Sequence, residues 1–209
     1  VYMHAATWAL MTACKRRDAA AAGKIWKSIS PPTRGQSSEA YYAEPYVLPG
    51  NVDGPLSDKP GRAGWTWYTG SAAWLNRVSL EWMLGVRPVW GGLEIDPCPP
   101  ADLGQVRVKR TWRGREVVVR FDAGAFRAEV RPTLRVNGQT IEGNVIPESL
   151  VSTMGKVGGT GGAGKSNGTT TPVHEHRAHG AIEVEVSWGA RPVVLTGAGS
   201  GASTERSVP

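Results

Sequence analysis

The chain has 209 residues, a net charge of +6 and 40% hydrophobic residues, enough for one ordinary domain or two small ones. Its basic residues are scattered, and the densest run, 107–120, alternates with valines like a half-solvated strand pair, which argues against nucleic-acid binding. Because no run of about 18 apolar residues occurs, we expect no membrane segment in the chain. Cys14 and Cys98 lack metal-ligand spacing and no signal peptide is visible, so we expect reduced thiols and a cytoplasmic location.

The hydrophobic pattern before residue 90 is helical. Asp18 is placed to cap the second of these helices, Pro31-Pro32 to end it, and Gly85 to follow the third. Helices are predicted over residues 4–16, 19–29 and 71–84.

A long segment, residues 30–64, separates the second helix from the third and is rich in Pro, Gly, Ser and Tyr. We expect a functional loop here, because loops of this length in compact domains usually have a function.

The pattern after residue 90 alternates as in strands, with hairpin turns at Arg113-Gly114 and Asn137-Gly138. A glycine-rich insertion is expected over 154–177 and a disordered tail over 191–209. The fold class predicted is α+β, with helices followed by a small antiparallel sheet or sandwich. Strands are predicted over residues 93–95, 106–112, 116–121, 126–130, 133–136, 139–142 and 182–186.

The segment Gly61–Trp74 has three of the chain's nine tryptophans. Trp74 has helical spacing and is predicted to be a core residue. Trp65 and Trp67 lie at the junction of loop and helix, where contact with a sugar ring is favoured. Thr69 and Gly70 lie where the first free amides of the third helix point outward, which suits a phosphate.

Three other sites have alternatives that the residues leave open. His4 begins an apolar helix and, judged by itself, is predicted to be a core or cap residue. Glu44 lies among three tyrosines, as either a sugar ligand or an exposed loop acid. The set His174, His176 and His179 follows a glycine-rich run without matching distal ligands, so we expect no metal site.

Several motifs in order resemble glycoside hydrolase family 94, which contains inverting β-glucoside phosphorylases and the phosphorylase-like domain of cyclic β-1,2-glucan synthases. The form Trp-Thr-Trp-Tyr-Thr-Gly-Ser is similar to the branch of cyclic glucan synthases and β-1,2-oligoglucan phosphorylases. The resemblance covers about residues 1–150 and the strand near 182–188. The matching segments are 1–8, 44–47, 64–74, 84–88, 92–100 and 144–147.

The resemblance implies a fold and an organisation. Residues 1–88 would be the last helices of an (α/α)₆ catalytic barrel, and residues 89–190 a C-terminal β domain. The chain would then be a C-terminal fragment of a longer enzyme, whose parent could be membrane-embedded. The oligomeric state stays open, with a homodimer as one alternative.

The resemblance also implies a reaction, inverting phosphorolysis of a β-linked glucan or disaccharide, with inorganic phosphate as co-substrate and no cofactor. His4, Thr69 and Gly70 would bind the phosphate, and Glu44, Trp65 and Trp67 would lie near the sugar. The family's catalytic aspartic acid and a phosphate-binding arginine lie upstream of the matching portion. The chain alone is therefore expected to be inactive.

Two rival functions remain. One is transglycosylation in place of phosphorolysis, as in chain-length control by a glucan synthase. The other is a non-catalytic carbohydrate-binding module with tryptophans as a stacking platform.

Overall fold

The computed structural model describes residues 1–153 and 180–189. The predicted glycine-rich insertion, the predicted tail and the three histidines at 174, 176 and 179 all lie outside the described residues. None of the described helices is long and apolar enough to cross a bilayer.

The first two predicted helices are confirmed as α1, Met3–Lys15, and α2, Ala19–Ile29. The Asp18 side chain caps α2 by accepting a hydrogen bond from the Ala21 amide at 2.9 Å. These helices pack on each other and bury Met3, Leu10, Ala13, Cys14, Ala22 and Ile29.

The segment 30–64 is more ordered than a loop, which corrects the sequence prediction. It contains the one-turn helices α3, Pro31–Arg34, and α4, Ser38–Tyr41. Pro31 occupies the first turn of α3, where its missing N–H costs nothing, and the Ser37 side chain caps α4. Two short strands, β1, Asn51–Val52, and β2, Ala63–Gly64, pair antiparallel.

The third helix, α5, spans Thr69–Val78, so it begins two residues before the predicted start. A π-helical turn, Ser79–Met83, continues it, and Gly85 follows with φ of +67°. Thr69 and Gly70 therefore belong to the first turn of α5.

Two sheets follow. The first is antiparallel and consists of β3, Val86–Val89, β4, Gly92–Ile95, and β9, Val145–Pro147. Strand β3 crosses the expected domain boundary at residue 88, and the division into domains stays a prediction. A short helix, α6, Glu148–Thr153, follows β9.

The second sheet has five strands in the order β5-β6-β10-β7-β8. Because β10 runs parallel to β6 and antiparallel to β7, the sheet is mixed, which corrects the expectation of a purely antiparallel module. Its strands are β5, Gln105–Trp112, β6, Arg115–Asp122, β7, Thr133–Val136, β8, Gln139–Ile141, and β10, Ile182–Ser187. Helices in the first half and sheets in the second confirm the α+β class.

The predicted strand 126–130 is wrong, because this segment wraps around the side chain of Arg17. The Arg17 guanidinium donates to the carbonyl oxygens of Ala128 at 2.7 Å, Val130 at 2.8 Å and Arg127 at 3.2 Å. It also forms an ion pair with Asp96. In a sheet these carbonyl groups would have paired with another strand. Here they accept hydrogen bonds from Arg17 instead, and these bonds hold the helical half against the sheets.

Candidate functional site

His4 lies in the first turn of α1, with its imidazole against the first turn of α5. A β-carbon placed on Gly70 would lie 3.4 Å from His4 Cε1 and 3.5 Å from Nδ1. The imidazole therefore lies beside the start of α5, at ordinary contact distance from the place that a β-carbon of residue 70 would occupy. The structure brings together the three residues predicted to bind phosphate, His4, Thr69 and Gly70.

The start of α5 keeps its first amides free. Tyr68 occupies the N-cap position, and among the described residues no side chain caps this helix. The N–H groups of Thr69, Gly70 and Ser71 have no acceptor within the helix, as helical geometry requires, and the first turn carries no acidic residue. An uncapped helix start of this kind attracts an anion through its dipole and its N–H groups.

The predicted sugar residues lie in the adjoining loop. The side chains of Trp65 and Trp67 are 79% and 60% exposed, and both residues have positive φ, +55° and +57°. Each non-glycine residue held in this conformation costs roughly 1–3 kcal/mol, and such strain concentrates at functional sites. The exposed ring faces are available to a sugar.

Glu44 contacts one of these tryptophans. The Trp67 indole donates a hydrogen bond to Glu44 Oε1 at 3.0 Å, and the ring of Tyr46 meets Trp67 edge-on at 5.9 Å. The carboxylate is half-buried and keeps its second oxygen for another donor. Glu44, Trp65 and Trp67 are thus neighbours on one surface, while their role in sugar binding stays a prediction.

Tyr68 connects the two groups, and the sequence interpretation missed it. Its ring lies edge-on 6.5 Å from Trp65 and 6.5 Å from His4. Its hydroxyl lies 3.1 Å from that of Tyr2. The signal in the sequence was its place inside the aromatic motif, immediately before the Thr-Gly pair.

Trp74 has more than the core role predicted for it. It is half-buried, and its ring lies 6.1 Å from His4 and 5.9 Å from Trp8, a residue of α1 that is 46% exposed. The helical spacing correctly indicated packing, but the packing partner is the candidate phosphate residue.

The candidate site is an open surface. A cleft of about 760 Å³ lies between α2 and the segments 99–102 and 123–127, away from the predicted residues. Within the described ranges, no group of three or more His, Cys, Asp or Glu side chains could hold a metal ion. Cys14 and Cys98 are buried and free.

Comparison with known proteins finds a family similar to the helical part. Residues 1–85 match the family model described as the glycosyl hydrolase 94 superfamily, catalytic domain. The cyclic beta-(1,2)-glucan synthase of Rhizobium meliloti is 34% identical over 134 residues, covering 62% of the chain and 4% of the relative.

Two phosphorylases are also similar to the chain. The N,N'-diacetylchitobiose phosphorylase of Vibrio proteolyticus is 27% identical over 149 residues, or 71% of the chain and 19% of the relative. The solabiose phosphorylase of Paenibacillus borealis is 27% identical over 146 residues, or 70% of the chain and 19% of the relative.

The chain spans at most about a fifth of these curated relatives, since the covered shares are 4%, 19% and 19%. The family resemblance carried by the motifs is confirmed, and the matched range includes the residues that assemble around the start of α5. Residues 1–85 are therefore similar to part of the glycosyl hydrolase 94 superfamily catalytic domain.

Proposed function

We propose that the chain is part of a longer enzyme that cleaves β-linked glucosides by inverting phosphorolysis. Phosphate would attack the anomeric carbon directly, in place of the water of an inverting hydrolase, while a carboxylic acid protonates the leaving oxygen. The products would be glucose 1-phosphate and a shortened glucan. The observation that carries this proposal is the His4 imidazole against the uncapped start of α5.

The phosphate would lie over the first turn of α5. The amides of Thr69 and Gly70 would donate to its oxygens, and His4 would contribute a ring N–H. Gly70 allows the anion and the imidazole to approach the same turn, because a β-carbon there would lie against His4.

The sugar would lie beside the phosphate, on the surface formed by Trp65, Trp67 and Glu44. The two exposed rings offer apolar faces to a pyranose, and the second Glu44 oxygen can accept a hydrogen bond from a sugar hydroxyl. Tyr68 separates the two subsites by one ring, with centroids 6.5 Å from both His4 and Trp65. This spacing would place the phosphate next to the sugar, where it can attack the anomeric carbon.

Residues 1–88 would be the last helices of an (α/α)₆ barrel, with residues 89–190 as the β domain beside it. The outer surfaces of α1 and α5 support this division. They include exposed small and aromatic residues, as expected where further helices pack. The residues concerned are Ala5, Trp8, Ala9, Ala72 and Ala73.

The general acid would come from the part of the enzyme outside this chain, and no residue of the chain is assigned that role. Of the described acids near the site, Glu44 is committed to the Trp67 indole. The substrate proposed is a β-1,2-glucan, supported by the similarity to the Rhizobium meliloti synthase. Transglycosylation within that branch, and glucan binding without catalysis, are the outcomes that the next experiment distinguishes.

The experiment is the release of glucose 1-phosphate from β-1,2-glucan by the longer protein that contains this chain. We expect release only in the presence of phosphate, and we expect His4→Ala to raise the phosphate KM by roughly tenfold or more, equivalent to about 1.4 kcal/mol. The 209-residue chain alone should release none.

Arg107→Met, on the exposed face of β5, serves as the matched control. Turnover that ignores phosphate would favour transglycosylation, and glucan binding without turnover would favour a binding module. Release of glucose 1-phosphate by the chain alone would show that the assignment of the acid to another segment is wrong.

A further inference from the structure

The His4 imidazole is enclosed by aromatic rings. Its ring centroid lies 5.3 Å from Trp8, 5.9 Å from Tyr2, 6.1 Å from Trp74 and 6.5 Å from Tyr68. Three of these contacts are tilted or edge-on at 50° to 71°, an arrangement that aromatic groups prefer to stacking face to face.

Hydrogen bonds do not orient this imidazole. The His4 backbone carbonyl accepts a bond from the Thr7 hydroxyl at 2.7 Å, but among the described residues no partner bonds to the ring nitrogens. Metal-binding and catalytic histidines usually have one nitrogen fixed by such a partner. The orientation of His4 therefore depends on the rings that pack against it.

Two of those rings are tied to each other. The Tyr2 and Tyr68 hydroxyls lie 3.1 Å apart, so one donates to the other, and the ring centroids are 6.2 Å apart at 63°. This bond joins the residue before α1 to the residue before α5. As the hydrogen-bond partner, the Tyr68 hydroxyl raises the pKa of Tyr2 above its ordinary value, so Tyr2 stays neutral and able to donate.

The tyrosines differ from the tryptophans in how they are held. Trp8 and Trp74 lie within helices and pack on each other at 5.9 Å. Tyr2 precedes α1 and is 51% exposed, and among the described residues the bond to Tyr68 is the hydrogen bond of its side chain. The hydroxyl pair is the contact that fixes the exposed side of the enclosure.

We propose that the Tyr2–Tyr68 hydroxyl pair positions the His4 imidazole over the first turn of α5. Both tyrosines are positioning residues, since they act through His4. The positioning itself does not depend on the proposed function, whereas its consequence for phosphate does. A displaced imidazole would bind phosphate less well, and the free α5 amides alone would bind phosphate with a weaker affinity.

The test is nuclear magnetic resonance of the 209-residue chain carrying Tyr2→Phe, Tyr68→Phe or both. Each change keeps the ring and removes only the hydroxyl. The first readout is the nuclear Overhauser effect between His4 Hε1 and the Gly70 α-protons, expected in the wild type because His4 Cε1 lies 3.4 Å from the place that a Gly70 β-carbon would occupy. The second readout is the affinity for inorganic phosphate. Tyr42→Phe, which alters an exposed tyrosine outside the enclosure, is the matched control.

We expect the Overhauser effect to fall at least about twofold in each variant, and equally in the double variant, because all three break the same bond. Phosphate affinity should fall roughly threefold to tenfold, the range of one net hydrogen bond. The control should match the wild type in both readouts.

An unchanged Overhauser effect in the single variants, or additive losses in the double variant, would overturn the proposal. If the effect falls but phosphate binds nowhere near His4 in any form of the chain, the positioning stands and the proposed function fails. The two failures are thereby distinguished.

Discussion

Trp65 and Trp67 show at the scale of single residues how the chain stores strain beside its candidate site. Both hold left-handed backbone conformations and expose most of their rings. An L-residue in this region costs roughly 1–2 kcal/mol through the approach of its β-carbon to the next carbonyl, and glycine avoids that cost. Under the proposed function, a sugar that packs on their rings would explain two large aromatic residues in this conformation.

This strain gives a prediction at position 67. Trp67→Gly should be more stable to chemical denaturation than Trp67→Ala by about 1 kcal/mol, the reverse of their order in a helix, because alanine keeps the strained β-carbon. Both variants should lose affinity for β-1,2-glucan, measured by titration calorimetry with the longer protein. Equal stabilities, or an alanine variant that is the more stable, would mean that φ at Trp67 costs nothing.

The sequence pointed to the candidate residues, whose roles stay predictions, but not to the neighbours that pack on them. His4, Gly70 and the two loop tryptophans are recognisable from motif and spacing. The bond between Tyr2 and Tyr68 joins residues 66 positions apart, and local patterns contain no information on such a contact. Trp74 was predicted as core from its helical spacing, and only the structure shows that it packs on His4.

At the scale of elements, local signals account for α1, α2 and the β5–β6 hairpin, since each has a clear period and its own turn or cap. Alternation in β10 predicted which face of the strand is buried but not which strands pair with it, so its parallel pairing with β6 could not be foreseen. The segment 126–130 has strand-like residues, but tertiary hydrogen bonds from Arg17 take its carbonyls.

Arg17 gives the second prediction, because one guanidinium joins α1's end to the sheets. Its side chain and that of Asp96 are 14% and 15% exposed. We expect Arg17→Met to lower the free energy of unfolding by about 3 kcal/mol, since Asp96 loses a partner and three carbonyls lose their donor. Methionine keeps the β-carbon, so the left-handed conformation at position 17, φ of +58°, is strained equally in both proteins.

Urea denaturation measures this change. Arg107→Met removes a guanidinium from an exposed site on β5 and should alter stability by less than about 0.5 kcal/mol. If the two variants are equally stable, Arg17 does not fix the segment 127–130, and the correction of the predicted strand lacks its physical explanation.

In the described part of the molecule, helices present the candidate site, and Arg17 and Asp96 join them to the sheets. The buried residues of the helical half form one cluster around Met3, Leu10 and Val78, and those of the sheets form another around Leu93, Val119 and Val184. The candidate site lies at the first turns of α1 and α5 and in the loop that precedes α5. This arrangement fits the proposed function, in which the other side of the pocket would come from the rest of a longer enzyme.

The central claim is that the start of α5 and His4 bind phosphate. The most direct test is titration of the isotopically labelled 209-residue chain with inorganic phosphate, followed by amide and imidazole resonances, with sodium chloride at equal ionic strength as the control. We predict saturable shifts confined to His4 and the amides of Thr69, Gly70 and Ser71. In His4→Ala, which has no imidazole, the amide shifts should be smaller. Shifts that are absent there, or that sodium chloride reproduces, would contradict the account.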